Sequence, residues 1–147
     1  MNINSGVYGV ILNEKNEILL IHRTDHNIWE IPGGKWEYGE TPWDAIIREI
    51  KEETGLDVEV EKIISIGSRP SNQDLVFTFQ CKVTGGSATY TPEADKIEYF
   101  SIKNLPTNIA PPKVARMKDA LLFENKCLLR NIDKSVKTED YIAKNNL

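Results

Sequence analysis

The sequence predicts a single domain of the α/β class. Its 147 residues are enough to enclose a hydrophobic core. Apolar residues make up 40% of the chain and charged residues 27%, which is typical of a globular protein and excludes a largely disordered one. Short runs with strand character alternate along the chain with two segments of helical periodicity, and this alternation favours strands packed against helices.

Five runs have the composition of strands. The first two, residues 6–12 and 17–23, flank Asn-Glu-Lys-Asn, which has the composition of a hairpin turn. We therefore expect them to pair as an antiparallel hairpin. Two further strands should begin at Val58 and at Asp74, and a last one should cover residues 96–102.

Residues 42–54 carry an unusually complete set of helix signals. Thr41 is a good N-cap, Pro42 suits the first helical position and Asp44 adds an acid to the first turn. Gly55 fits the position that follows the last helical residue. The sequence therefore predicts a helix over 42–54.

Each of the two helices has an apolar stripe that we expect to face the core. In the first helix the stripe consists of Trp43, Ile46, Ile47 and Ile50. The second helix follows the sequence Leu-Pro-Thr-Asn-Ile-Ala-Pro-Pro, and its stripe consists of Val114, Met117, Ala120 and Leu121. Packing in the core is the simplest role for both stripes.

The chain divides into residues 1–130, the predicted domain, and residues 131–147, a polar tail that could form a short surface helix. Cys81 and Cys127 are far apart and lie outside any metal-binding spacing, which favours buried free thiols. No apolar run reaches the ~20 residues that span a bilayer, and no leader segment is evident. We expect a cytoplasmic protein without membrane contact.

The first helix concentrates acidic residues on one face. Glu49, Glu52 and Glu53 stand at i, i+3 and i+4, where like charges repel by about 0.2–0.5 kcal/mol per pair. One interpretation is an exposed, solvated surface on which Arg48 pairs with Glu52. The other is a site where carboxylates bind a hard divalent cation.

The loop before the helix favours the cation. Its Pro-Gly-Gly sequence at residues 32–34 allows the backbone to approach an ion without obstruction by side chains. Glu40 places a further acid next to the start of the helix.

The spacing of these residues resembles the signature of the Nudix hydrolases. The matching positions are Gly34, Glu40, Arg48, Glu49, Ile50, Glu52, Glu53, Gly55 and Leu56. All specified positions match, and the resemblance extends over about residues 4–125. Such a match at fixed spacing is a specific signal.

The resemblance implies an α/β/α sandwich around a mixed sheet, and an enzyme that hydrolyses a diphosphate linkage in a nucleoside diphosphate derivative. It implies Mg²⁺ or Mn²⁺ as the cofactor, with ligands from Gly34, Glu49, Glu52 and Glu53. By the same resemblance, Glu52 and Glu53 act in catalysis and Arg48 and Glu40 hold the carboxylates in place. Glu93 is either a further ligand or base, or an ordinary loop acid.

The substrate is less well defined by the sequence. Nucleoside triphosphates and compounds like ADP-ribose both remain open, and Pro70, fourteen residues after Leu56, weakly supports the second. Arg23 and Asn108 could bind the substrate or be surface residues. Trp29 could stack on a base or pack in the core.

Two other functions remain open within the same fold: a non-catalytic module that binds a nucleotide, and an RNA 5′-end pyrophosphohydrolase. The intact acids argue against the first. The net charge of −4 argues against nucleic acid as a partner. We expect a small nucleotide as the substrate and leave open a homodimer.

Overall fold

The computed structural model describes residues 4–122, 124–134 and 144. Its strands are β1 (Asn4–Ile11), β2 (Ile18–Arg23), β3 (Ile28–Glu30), β4 (Gly33–Lys35), β5 (Leu56–Arg69), β6 (Asp74–Gly86), β7 (Ala94–Phe100) and β8 (Leu128–Asn131). Its helices are α1 (Pro42–Thr54), α2 (Pro111–Leu121) and two short 3-10 helices, Pro70–Asn72 and Ile132–Lys134. Among these residues, no helix combines the length and the apolar character needed to cross a membrane.

The strands form two sheets. Five strands are ordered β4-β1-β6-β5-β8, and three are ordered β3-β2-β7. The pairs β1–β6 and β5–β8 are parallel, and the remaining pairs are antiparallel. The larger sheet is therefore mixed, as expected.

The predicted hairpin between the first two strands is wrong. β1 pairs with β4 and β6, while β2 pairs with β3 and β7. Because a strand has only two edges, neither has an edge left for the other. The turn itself does form, with the Asn13 amide donating to the Glu17 carbonyl oxygen at 3.0 Å and a single bridge between Leu12 and Ile18. The turn carries the chain from one sheet to the other.

α1 begins and ends where its caps predict. The Asp44 amide donates to the Thr41 hydroxyl at 3.1 Å, Pro42 is the first helical residue, and Gly55 ends the helix at φ 77°. Left-handed φ values are accessible to glycine with little strain, which is why the helix stops there.

The apolar stripe of α1 is confirmed in part. Ile46 and Ile50 are fully buried, and Ile47 packs against the same cluster while partly exposed. Trp43 was expected to face the core, but it is 53% exposed. Periodicity gives the direction of a side chain around the helix axis, and it does not show whether a neighbouring element covers the first turn.

The two helices cover opposite faces of the sheets. Val7 of β1 lies in the hydrophobic cluster that contains Ile46 of α1. Val10, which points to the other face of β1, lies in the cluster that contains Met117 and Ala120 of α2. The predicted core stripe of α2 and the α/β/α sandwich are both confirmed.

The described chain continues past the predicted boundary at residue 130. β8 ends at Asn131, Ile132 is 9% exposed, and Asp133 accepts a hydrogen bond from the Ser71 amide at 2.9 Å. Residues 135–143 and 145–147 lie outside the described residues. The boundary at residue 130 and the surface helix in the tail therefore stay predictions.

Both cysteines are free thiols, as predicted. Cys81 is buried, and its burial raises the pKa of the thiol to about 12. It therefore stays protonated and acts as a core residue. Cys127 was expected to be buried but is only partly so.

Candidate active site

Arg48 is the centre of a network that orders the acids around α1. Its guanidinium makes two hydrogen bonds to Glu40, Nε to Oε2 at 3.0 Å and Nη2 to Oε1 at 2.7 Å. Nη2 also donates to the Lys35 carbonyl oxygen at 2.9 Å. Nη1 lies 3.1 Å from Glu49 Oε1 and 3.3 Å from Glu52 Oε2. A bidentate pair of this kind fixes orientation as well as charge, so Arg48 joins β4, the following loop and the acidic face into one unit.

Glu40 is held from the loop side as well. Its Oε1 accepts a hydrogen bond from the Glu37 amide at 2.9 Å, and its carbonyl oxygen accepts one from the Trp36 indole at 2.7 Å. The hydrogen bonds from Arg48 lower the pKa of the Glu40 carboxyl to about 2. Glu40 is therefore ionised at any physiological pH and serves as the anchor of Arg48.

Glu53 differs from the other acids of α1. Its Oε1 accepts a hydrogen bond from the Gly33 amide at 3.0 Å. Burial, strengthened by the charges of Glu30 and Glu49, raises the pKa of its carboxyl to about 8. A carboxyl with a pKa in this range can accept and release a proton near neutral pH.

The acidic face is less exposed than expected. The Glu52 side chain is 58% exposed, but that of Glu49 is only 14% exposed, and Glu53 is half-buried. The i, i+3, i+4 spacing correctly groups the three acids. It does not reveal that β4 covers two of them.

Gly34 allows β4 to come this close. A side chain at Gly34 would overlap the carboxylate of Glu49, so only a glycine permits the contact. Burial raises the pKa of the Glu49 carboxyl, and the hydrogen bond from Arg48 opposes that shift. The glycine loop thus brings backbone atoms against the acids, as the sequence indicates.

Glu52 and Glu53 line a cleft of about 370 Å³, called here the acid cleft. Its charged lining residues are Arg23, Asp25, Glu30, Glu52, Glu53 and Glu93. Glu93 therefore lies in the same cleft as Glu53, although it is distant in sequence and immediately precedes β7. Among the described residues, no three acidic, histidine or cysteine side chains lie close enough together to hold an ion, because Glu49 and Glu52 turn toward Arg48.

Sequence reasoning missed Glu30. This acid is 8% exposed, its Oε1 lies 3.5 Å from Arg23 Nη1 and its Oε2 lies 3.8 Å from Lys113 Nζ. A signal was present, because Glu30 is a charged residue between Trp29 and Ile31 in a short apolar strand. Buried charges in such strands are rare unless they are paired or functional.

The three residues predicted to bind substrate lie in two places. Arg23 lines the acid cleft and pairs with Asp25 at 2.5 Å. Trp29 is 8% exposed and packs edge-on against Phe100, with ring centroids 4.9 Å apart. Asn108 accepts a hydrogen bond from the Trp29 amide at 2.9 Å, beside that tryptophan and outside the lining of the acid cleft. Their roles toward a substrate stay predictions.

The chain is similar to known proteins over most of its length. The Nudix domain profile matches residues 3–121. A MutT-like protein of Streptomyces ambofaciens is 32% identical over 115 residues, which cover 78% of this chain and 75% of the relative. A putative 8-oxo-dGTP diphosphatase of Bacillus subtilis is 32% identical over 139 residues, 94% of this chain and 90% of the relative. An ADP-ribose pyrophosphatase of Methanocaldococcus jannaschii is 36% identical over 122 residues, 78% and 72% of the two chains.

Solved structures agree with these relatives. An ADP-ribose pyrophosphatase from Streptococcus suis has a TM-score of 0.72 at 25% identity and covers 86% of this chain and 98% of its own. A Nudix hydrolase from Nitrosomonas europaea has a TM-score of 0.74 at 20% identity, covers 89% and 80% of the two chains, and supports the fold alone. The profile match, the relatives and the shared fold lead to one conclusion: the chain belongs to the Nudix family and is a hydrolase that acts on pyrophosphate bonds.

Proposed function

We propose that the protein catalyses the divalent-metal-dependent hydrolysis of a diphosphate linkage in a nucleoside diphosphate derivative. The observation that carries this proposal is the contact between the glycine loop and the acids of α1, where Gly33 donates to Glu53 and Gly34 packs on Glu49. A diphosphate is itself anionic. An acidic cleft can accept it only if cations offset the charge of the cleft.

The chemistry of the donors fits Mg²⁺ or Mn²⁺. Glu49, Glu52 and Glu53, with the carbonyl oxygen of Gly34, form an oxygen donor set of the kind that hard divalent cations prefer. Glu52 is exposed and can exchange its contact with Arg48 for an ion, because exposed ion pairs contribute only about 0–1 kcal/mol. When bound, the cation supplies positive charge to the phosphate oxygens and lowers the pKa of the attacking water.

The residues of the chain have separate roles in this scheme. Glu53, with its raised pKa, is suited to take the proton from the attacking water at its carboxylate oxygen. Arg48 and Glu40 act as positioning residues, since they hold Glu49 and β4 in register. Glu93 also lines the acid cleft and is a second candidate for a ligand or a base.

The names of the relatives support two substrate groups. An 8-oxo-dGTP diphosphatase and an ADP-ribose pyrophosphatase are both similar to this chain. A nucleoside triphosphate and an ADP-ribose-like diphosphate are therefore the substrates to test first, with Arg23 as the candidate contact inside the acid cleft.

A substrate panel with and without magnesium tests the proposal. Nucleoside triphosphates, 8-oxo-dGTP, ADP-ribose and a 5′-triphosphorylated RNA would be incubated with the protein, and phosphate and pyrophosphate release would be measured separately. We expect turnover of a small nucleotide with Mg²⁺ or Mn²⁺, its loss in excess chelator and its recovery on adding the metal back. Full turnover in chelator would contradict the metal requirement, and tight binding without turnover would favour the non-catalytic module.

A further inference from the structure

A second cleft, of about 410 Å³, lies between β1, β6 and the start of α2. Four cationic residues line it: Lys35, Arg69, Lys113 and Arg116. Asp74 is the acid that lines it, and this acid pairs with Arg69 Nη1 at 2.7 Å. We call this site the cation cleft, because its lining carries a net positive charge in a protein that is acidic overall.

Two buried cationic donors in the cation cleft lack an acceptor. Among the described residues, Arg116 Nη1 and Arg69 Nε are buried nitrogen atoms without a hydrogen-bond partner. Buried donors of this kind are nearly always satisfied in folded proteins, and an unsatisfied one is a reason to look for a ligand. Both residues line the same cavity, so an anion there could satisfy both.

Two of the cationic residues lie over the ring of Tyr8, which also lines the cavity. Lys113, which is 4% exposed, places Nζ 3.7 Å from the centroid of the Tyr8 ring, and Arg116 places Cζ 4.5 Å from it. Cation–π contact stabilises a guanidinium or an ammonium group without neutralising its charge. The charge of Lys113 in turn lowers the pKa of the Tyr8 hydroxyl. The cation–π contacts therefore leave the charges of Lys113 and Arg116 available to an anion.

The two clefts meet at β4 and Glu30. Gly33 lines the acid cleft, and the next residue, Gly34, lines the cation cleft. Glu30 lines the acid cleft, and its Oε2 lies 3.8 Å from Nζ of Lys113 in the cation cleft. A single extended ligand could therefore occupy both clefts.

We propose that the cation cleft binds an anionic group of the substrate that lies outside the diphosphate, a phosphate monoester in the first instance, so that the enzyme prefers diphosphate derivatives with this extra group. The inference deepens the proposed function and rests on it. Arg116 and Arg69 supply the donors, and Lys113 and Lys35 supply further positive charge. Guanidinium groups suit this role because their planar donors match phosphate oxygens.

Binding can be tested without turnover. The metal-free protein would be titrated with inorganic phosphate at constant ionic strength in chelator, and its melting temperature followed. We expect saturating phosphate to raise the melting temperature by about 2–4 °C, and Arg116→Gln to abolish the rise. Lys35→Gln, at an exposed side chain that lines the cation cleft, should weaken the rise. An unchanged rise in Arg116→Gln, or no rise in the wild type, would overturn the proposal. A rise that does not saturate with phosphate concentration would count as no rise.

Selectivity can be tested with two substrates that differ by one phosphate. ADP-ribose and its 2′-phosphorylated form would be compared with Mg²⁺. We expect Arg116→Gln to lower kcat/KM for the phosphorylated compound about tenfold more than for ADP-ribose, with the difference in KM. Lys103→Gln, which removes an exposed charge that lines neither cleft, is the matched control and should alter neither.

The outcomes separate the two proposals. Equal losses for both compounds in Arg116→Gln, with a lowered melting temperature, would show a structural role and overturn the anion site. If neither compound is hydrolysed, the hydrolysis proposal fails for this substrate group and the phosphate titration decides the cation cleft alone.

Discussion

The two helices of the sandwich pack on the sheets in the same way but carry opposite charges beside their buried faces. Each starts at proline and buries apolar residues against the sheets, Ile46 and Ile50 in α1 and Met117 in α2. At the border of its buried face, α1 carries carboxylates. α2 carries Lys113 and Arg116 at the corresponding border. The comparison teaches that apolar periodicity places a helix, and that residues beside the stripe decide what the adjoining cleft can bind.

The helices also differ in how their charges are satisfied. Around α1, Arg48 hydrogen-bonds three carboxylates, so the acids are paired within the protein. Beside α2, Arg116 retains a buried donor without an acceptor among the described residues. The acidic face of α1 thus has its cation within the protein, whereas Arg116 in the cation cleft has a donor left for a ligand.

The largest expected effect is on turnover. If it were absent, the contrast between a catalytic α1 and a ligand-binding α2 would be wrong. Glu53→Gln keeps the shape of the side chain and removes the proton acceptor from the acid cleft. We expect hydrolysis to fall by about 10²–10⁴, measured as steady-state rates with Mg²⁺. Glu59→Gln, an exposed acid beyond the helix, is the matched control and should stay near the wild type. Equal activity of Glu53→Gln and wild type would contradict a catalytic role for Glu53.

The next effect tests whether both helices are anchored alike. Ile50 and Met117 are each fully buried, one in each hydrophobic cluster. Ile50→Ala and Met117→Ala should each lower the free energy of unfolding by about 2–5 kcal/mol, measured by denaturant titration. Leu122→Ala, at a residue that is 76% exposed, should change it by less than about 0.5 kcal/mol. A small loss for only one of the buried pair would show that its helix is the weaker layer.

The pH dependence of folding stability tests the difference in burial between the acids of α1. In the metal-free protein the pKa of Glu53 is about 8, against an ordinary 4.5. The folded state therefore binds more protons than the unfolded state between these values, and its stability falls as the pH rises from about 4.5 to 8. In chelator, Glu53→Gln should melt above the wild type at pH 8 and close to it at pH 4.5. Thermal melts across this range check the prediction, and a constant difference would contradict it.

The smallest expected effect concerns Glu40. Its pKa is lowered from 4.5 to about 2, so its contribution to stability is present above pH 4.5 and is lost as the pH falls from 4.5 to 2. Glu40→Gln should remove this part of the acid sensitivity. The melting temperatures of variant and wild type should converge toward pH 2, and a gap that stays constant down to pH 2 would exclude the ion pair with Arg48 as its cause.

Local signals explain what the sequence predicted well. The limits of α1 depend on Thr41, Pro42 and Gly55, which act within one turn of themselves. The grouping of Glu49 with Glu53 needs only the helical period. Family resemblance supplied the sandwich, because the order of its layers depends on contacts that no local pattern contains.

Contacts between distant segments explain the errors. Strand periodicity identified β1 and β2 but carried no information on their partners, so the hairpin prediction was wrong. Glu30 and Arg116 look like ordinary charged residues in sequence, and their importance comes from neighbours far along the chain. The cation cleft could not be predicted, because Tyr8, Arg69 and Arg116 meet only after folding.

The parallel pairing of β1 also has a consequence for synthesis of the protein on the ribosome. Asn4 pairs with Asp74, 70 residues later (74 − 4), whereas β4 offers β1 only three register positions on the other edge. Pairings of such long sequence separation form late. A nascent chain that pauses before Asp74 therefore exposes an apolar strand edge that can pair with other chains. The rate at which the ribosome delivers β6 therefore sets how long this edge stays exposed.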